Sequence, residues 1–345
     1  LGGFVTSLVD TIILFGGSSS ERRVSVASAQ HLSSIMPEAA LWFWAQNGTV
    51  FQVTSEELMA HQNPYDNNFM PLKPNKVAES VETALDRVGA SVVYLGLHGG
   101  DGENGWLQTR LEARRIPFTG SGGTASKIAM HKSESKEAVV KRGILVARQL
   151  LFSPSENRIN ELLKFQKEVG RLVIKPACDG SSAGLSFLHD QAGCEAWFEK
   201  HAGSAIPWLA EEELIGRELT VGVMMYKGTL TALPPSEVIL EKNAHFDFQA
   251  KYHGVGNREI TPADLTPAQT IAAQAVALQA HQAIGCFGYT RTDMIMTQSG
   301  IYYLETNTLP GMTKASFIPQ QLRAAGIELR DFVADQINLA RKRFD

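Results

Sequence analysis

A multidomain chain built of α/β and α+β units is the fold class this sequence predicts, and three observations carry it. Its 345 residues exceed a single core, since domains usually run to roughly 100–200 residues. Apolar runs at Thr11–Phe15 and Ser91–Leu97 each end in a glycine-rich turn before a helix-like segment, the alternation of an open α/β domain. Around Ala205–Met224 a charged, helix-rich stretch gives way to short alternating strands, as in an α+β unit.

Composition narrows the function classes. With 36 acidic against 32 basic residues and a formal charge of -4, the chain lacks the electrostatic footprint of a nucleic-acid binder. Cys178, Cys194 and Cys286 make no CxxC pair and no disulfide framework, so they read as reduced thiols. The opening residues show neither a basic start nor a long apolar run, and no apolar stretch is long enough to span a bilayer. The expectation is a soluble, cytoplasmic protein without nucleic-acid or membrane partners.

Taken in order, Thr11–Phe15 reads as a buried strand, Gly16–Ser20 as a backbone-rich loop and the segment through Ile35 as a capped helix. That loop places N–H groups at a strand's carboxyl end, where open α/β sheets bind ligands. Val50–Pro74, rich in Asn, Pro and polar residues, reads as an irregular connection. A second strand at Ser91–Leu97 runs into His98–Gly105, followed by an amphipathic helix at Trp106–Ala113. Lys127–Lys141 reads as one charged helix, Arg171–Pro176 as a strand and Ala177–Gly184 as a loop leading to a strand through Leu188. Thr266 caps a helix with Pro267 at its first position and Gln269 at the capping-box position, ending toward Gly285. Thr292–Thr297 and Ile301–Glu305 form a hairpin about Gln298–Gly300. These readings divide the chain into units 1–122, 123–215 and 216–345.

The hairpin holds the most informative chemistry. If its strands pair, Asp293, Glu305 and Asn307 converge, because residues 305 and 307 share a strand face. Two carboxylates and an amide oxygen suit Mg²⁺ bound to nucleotide phosphates, and Arg291 on the face of Asp293 can neutralise charge on a transferred phosphate. A surface hairpin with routine polar residues would show the same spacing. Lys175, at a strand end before the small-residue loop Gly180–Gly184, can hold an oxyanion, although a turn beside a solvated lysine reads equally well. Lys132 and Lys136 lie one helical turn apart and read alone as an ordinary charged face. Glu211–Glu213 and His98 are ambiguous by themselves. GxSxG and GxGxxG motifs are absent, which weakens hydrolase and dehydrogenase readings.

Across roughly residues 11–335 the chain resembles the D-alanine:D-alanine ligases of the ATP-grasp superfamily. The residues that carry the resemblance are Gly16–Glu21 with Val24-Ser25, Tyr94-Leu95 before His98-Gly99 with Glu103, Lys175-Pro176 with Gly180–Ser182, and Glu211–Thr220. Lys251-Tyr252, Gly288–Asp293, Leu304–Thr313 and Ser316 complete the ordered set. The resemblance implies an ATP-grasp fold behind an N-terminal open α/β domain, with nucleotide between the second and third units. It implies phosphorylation of one D-alanine carboxylate and attack of a second D-alanine's amine on the acylphosphate, for peptidoglycan precursor synthesis.

Carried over by position, Glu21 resembles the residue that holds the first ammonium, with Ser181 and Tyr252 completing its hydrogen bonds, and His98 the histidine near that substrate. Lys132, Lys175 and Lys251 resemble phosphate-facing cations, and Glu211 and Glu218 adenosine-side carboxylates. Arg291 and Gly311 look like oxyanion-side donors, Ser316 like a binder of the second carboxylate, and Asp293, Glu305 and Asn307 like magnesium ligands. The resemblance further implies ATP as cosubstrate, two Mg²⁺ ions, a homodimer and a lid near 245–256. It leaves open Mn²⁺ substitution, monovalent-cation activation, a ligase with another second substrate and a noncatalytic nucleotide-binding regulator.

Overall fold

The computed structural model describes residues 8, 10–154, 158–177, 184–204, 206–240 and 257–345. An N-terminal sheet contains β1 (Thr11–Gly16), β2 (Ala40–Trp44), β3 (Val50–Val53), β4 (Asn75–Ala78) and β5 (Val92–Leu95), in the order β4-β3-β2-β1-β5. β1 runs parallel to both neighbours and is buried along its whole length. The pleat divides it between two cores: Ile13 and Phe15 pack on one face, Ile12 and Leu14 on the other.

The stretch 50–74 corrects the sequence reading, since it contains β3 and the helix Ser55–Ala60. Thr54 caps that helix by accepting a hydrogen bond from the Glu57 N–H at 3.2 Å. Both elements are short, so the surrounding Asn and Pro residues dominated the composition.

A two-residue strand, β6 (Leu145–Val146), precedes a four-stranded antiparallel sheet of β7 (Gln149–Phe152), β8 (Leu172–Pro176), β9 (Ser186–Leu188) and β10 (Trp208–Glu212), in the order β7-β10-β8-β9. Its own core gathers Leu172, Ile174, Trp197 and Trp208. The third sheet comprises β11 (Arg217–Tyr226), β12 (Thr229–Ala232), β13 (Ser236–Leu240), β14 (Asn257–Ile260), β15 (Tyr289–Met296) and β16 (Ile301–Asn307), and β6 joins it beside β16.

The segment after residue 122 therefore does not stay with the sheet that follows it. Helices Gly123–Met130 and Lys132–Val140 share a core with Tyr303 and with the helix Pro267–Ile284, and β6 pairs with Tyr302 and Tyr303. The single helix expected over Lys127–Lys141 is these two helices, broken at His131, whose ψ of 100° is extended. At the break, the Lys132 N–H donates to the Ala177 carbonyl at 3.2 Å, tying the second helix to the end of β8.

The Thr266/Gln269 capping box forms as read, with Pro267 at the helix start and Gly285 at its end. β11 exchanges neighbours along one edge, from β13 at Glu218–Thr220 to β12 at Val223–Tyr226. Gln321 closes the gap by accepting from the Gly222 N–H at 2.8 Å and donating to the Thr220 carbonyl at 2.9 Å. The first core also takes in Met224, Tyr289, Phe332 and Ile337, so the N-terminal sheet and the C-terminal helices pack as one apolar body. Among the described residues no helix is long and apolar enough to cross a membrane.

Candidate active site

An open cleft of about 970 Å³ lies where the N-terminal sheet meets the C-terminal hairpin. Of the residues singled out in the sequence, Glu21, His98, Lys132, Arg291, Glu305, Asn307, Gly311 and Ser316 line it. Ser181, Lys251, Tyr252 and the whole of the lid expected near 245–256 lie outside the described residues.

β15 and β16 supply the acidic side. Arg291 pairs with Asn307, and Asp293 with Glu305, so all four side chains share a face. Immediately beyond, the register jumps and Met294 pairs with Tyr303, leaving Leu304 as the extra residue of a bulge. The bulge lets Glu305 face the cleft while Tyr303, two residues before it, turns with Met294 into the core, where both are fully buried. In an unbroken strand, residues 303 and 305 would face the same way.

Asp293 is the hub of this face. Arg291 donates to it through Nε at 2.8 Å and Nη2 at 2.7 Å, Thr220 Oγ1 at 2.5 Å and Asn307 Nδ2 at 3.1 Å. The Arg291 guanidinium also stands 5.7 Å from the ring centre of Phe317, a cation–π distance. Lys132 Nζ lies 3.6 Å from Glu305 Oε2. Among the described residues no three His, Cys, Asp or Glu side chains form a metal group. The two carboxylates therefore need the amide oxygen of Asn307 and oxygens from a ligand to complete a hard-cation shell, which is the donor chemistry Mg²⁺ accepts.

The N-terminal domain shapes the opposite wall through the backbone of residues 308–312. Glu103, buried, accepts from the N–H groups of Gly99, Thr308 and Leu309 at 2.9, 3.0 and 2.9 Å. Burial, reinforced by the nearby Glu21 carboxylate, pushes the Glu103 carboxyl up, while the Gly99 and Leu309 amides and Arg291 act the other way. His98 Nδ1 is 2.8 Å from the Leu309 carbonyl, so that nitrogen carries the proton. Its Nε2 is 2.9 Å from Ser28 Oγ, which accepts from the Met312 N–H at 3.2 Å. Ser28 Oγ thus joins the Met312 N–H to the His98 ring. His31 Nδ1 holds the Met312 carbonyl at 2.7 Å, and burial lowers its pKa.

Gly99, at φ +63°, admits Glu21: a Cβ there would stand 2.6 Å from Glu21 Oε2. Gly311 is similarly constrained, since its Cβ would stand 2.7 Å from Ser316 Oγ. Ser316 Oγ accepts from the Thr313 N–H at 3.1 Å and lies 2.8 Å from Thr313 Oγ1, at the start of helix Phe317–Ala324.

The residues expected to face a nucleotide assemble near Lys132. Lys175 Nζ lies 2.6 Å from Glu211 Oε2, while Lys136, fully buried, contacts Glu211 Oε1. Lys136 is therefore not on the ordinary charged face expected of it. Burial first, then repulsion from Lys132, lowers Lys175 to about 8, with Glu305 and Glu218 opposing. Glu218 sits on β11 opposite Ile295, two positions before Thr220.

The sequence reading assigned no role to Ser28, His31 or Thr220 and no separate one to Glu103, and it took Lys136 for an ordinary charged face. Ser28, His31 and Lys136 stand outside the motifs quoted from the sequence, and only the Ser28/His31 spacing on one helical face hinted at a shared target.

Comparisons with known proteins show the family. The family profile described as "D-ala D-ala ligase N-terminus" matches residues 10–121, and "D-ala D-ala ligase C-terminus" matches residues 141–338. The chain is 32% identical over 346 residues to a D-alanine--D-alanine ligase of Leptospira interrogans, covering 96% of this chain and 98% of that one. It is 34% identical over 337 residues to the corresponding protein of Syntrophobacter fumaroxidans, covering 97% and 98%. The crystal structure of VanG D-Ala:D-Ser ligase from Enterococcus faecalis superposes with a TM-score of 0.78 at 24% identity, covering 96% of this chain and 99% of that one, a likeness of fold.

Proposed function

The chain belongs to the D-alanine--D-alanine ligase family, and from that premise we propose how its residues perform the reaction. The enzyme is an ATP-dependent ligase that forms D-alanyl-D-alanine for peptidoglycan synthesis. A carboxylate oxygen of one D-alanine attacks the γ-phosphorus of ATP, giving D-alanyl phosphate and ADP. The amine of a second D-alanine, having lost a proton, then attacks the acyl carbon, and the C–O bond to phosphate breaks as the peptide bond forms.

The observation that carries this reading is the meeting of Glu21 and His98 with Lys132, Arg291, Glu305, Asn307, Gly311 and Ser316 around one cleft. Glu21 takes the first ammonium, Ser316 the second carboxylate, and Arg291 with the Gly311 backbone the charge on the tetrahedral oxygen. Ser181 and Tyr252 join Glu21, Lys132, Lys175 and Lys251 meet the phosphates, and Glu218 takes ribose hydroxyls. Glu211, whose carboxylate already carries two lysines, serves the nucleotide through them. Asp293, Glu305 and Asn307 would hold Mg²⁺, two ions in the family reading, and the bound metal would offset charge on the transferred phosphate. Because acylphosphates hydrolyse, closure over the cleft by the segment near 245–256 protects the intermediate. The same family reading supports a cytoplasmic homodimer.

Purified protein given D-alanine, ATP and Mg²⁺ should release dipeptide, ADP and phosphate in equal amounts. Phosphate release without dipeptide would overturn the assignment. Competition among D-alanine, D-serine, D-lactate and L-alanine, with mass analysis of products, tests the second substrate.

A further inference from the structure

We infer that Lys136 is a positioning residue for nucleotide phosphates: by holding Glu211, it keeps Lys175 available to the phosphates instead of locked in a private ion pair. The inference rests on the nucleotide-binding reading above and adds a residue which that reading does not use.

Lys136 is fully exposed to the cost of burial, since its side chain has no accessible surface, yet it stands against a carboxylate that Lys175 already engages at 2.6 Å. Burial first, then the nearby Lys175, pushes the Lys136 ammonium well below its ordinary range, so the lysine is held against Glu211 at a cost. Buried ion pairs add little stability over an apolar replacement of similar volume, so stability alone does not account for a second lysine. The geometry does. Lys136 lies on the helix that begins at Lys132, and the Lys132 N–H is bonded to the Ala177 carbonyl, two residues beyond Lys175. One helix start and one strand end thus fix three lysines as a unit. Within it Lys132 leans toward Glu305, Lys136 is committed to Glu211, and Lys175 shares Glu211.

Without the Lys136 amine, Glu211 would have Lys175 as its sole partner in this trio, and a phosphate would have to break a buried one-to-one pair to engage it. The pull of Glu211 on Lys175 strengthens as its competitor is removed. Lys136→Met should therefore weaken binding of phosphates while leaving binding of the nucleoside end unchanged.

Full-length parental protein, Lys136→Met and Lys136→Arg would be titrated with β,γ-imido-ATP plus Mg²⁺, and separately with AMP. The expected result is a loss of about tenfold in imido-ATP affinity for Lys136→Met. AMP affinity should stay within about threefold, and imido-ATP affinity should recover in Lys136→Arg to within about threefold of parental. Equal weakening of both nucleotides, unchanged imido-ATP affinity, or no recovery in Lys136→Arg would overturn the inference, because a purely structural lysine predicts those outcomes. If Lys136→Met does not fold, Lys136→Arg, which keeps a donor on Glu211, carries the test: parental-like imido-ATP affinity supports the inference and a tenfold loss overturns it. Parental protein that binds imido-ATP but makes no dipeptide would defeat the ligase reading and leave this one standing. Parental protein that binds neither nucleotide would defeat both.

Discussion

The two walls of the cleft are built on opposite plans. The C-terminal hairpin contributes side chains directly: Arg291, Asp293, Glu305 and Asn307 project from paired strands onto one face. The N-terminal domain contributes mainly by holding backbone, with Glu103, His98, Ser28 and His31 each bonded to a peptide group of residues 308–312. Damage to the first wall should remove chemistry and spare the fold, whereas damage to the second should loosen a loop and harm both.

Glu305→Gln makes the sharpest break in that comparison. It preserves size but removes charge from the proposed metal face, so turnover should fall about a hundredfold and require more Mg²⁺, with the melting temperature near parental. Steady-state rates across a Mg²⁺ series and a thermal melt check both halves. A parental rate with unchanged Mg²⁺ dependence would mean Glu305 is misassigned.

On the other wall, Ser28→Ala removes the hydroxyl that joins the Met312 N–H to His98 Nε2. Two buried groups lose a partner, so stability should drop by about 1–3 kcal/mol and turnover by roughly tenfold. Denaturant titration beside kinetics would show the two losses together; a rate loss without destabilisation would erase the distinction between the walls.

Gly99→Ala sharpens the comparison where the clamp meets the substrate. Its Cβ would crowd Glu21 Oε2 at 2.6 Å in a left-handed backbone, so the KM for the first D-alanine should rise by roughly several-fold with ATP little affected. An unchanged D-alanine KM in a folded variant would separate Glu21 from the first ammonium.

The smallest expected effect is a pH dependence. Lys175, held near 8 in the folded protein against an ordinary value of 10.5, loses its charge as pH rises through about 8. Phosphate favours the ammonium, so ATP affinity should fall by roughly a few-fold between about pH 7.5 and 9, and binding there should take up protons. For folding the sign is opposite. A lysine whose folded pKa is lowered carries its full burial cost below about 8, and the cost is relieved between about 8 and 10.5 as the unfolded chain becomes the greater proton binder. Calorimetry in two buffers of different ionisation enthalpy measures the uptake; none at about pH 8.5 would mean Lys175 stays charged.

How much of this was legible follows from distance along the chain. The hairpin carboxylates and the Thr266/Gln269 box could be read because each depends on contacts a few residues apart or across one turn. His98 could be placed after a strand, but its tie to Leu309 spans 211 residues and its link to Ser28 spans 70. Lys136 looked like surface by type and spacing and is fully buried. The break at His131 and the bulge at Leu304 were likewise invisible, because both are settled by what the neighbouring strand and helix require.

The sequence by itself determined the alternation of strands and helices, the ordered family motifs and the residue types able to bind a phosphate or a hard cation. Local backbone preference and side-chain periodicity suffice for those. Only the tertiary structure decided that Glu305 faces the cleft while Tyr303 faces the core, that Glu211 carries two lysines, and that residues 308–312 are held from the N-terminal domain. These depend on which distant groups must satisfy one another once water is excluded, and a buried charge or peptide group acquires its partner only when the chain has closed around it.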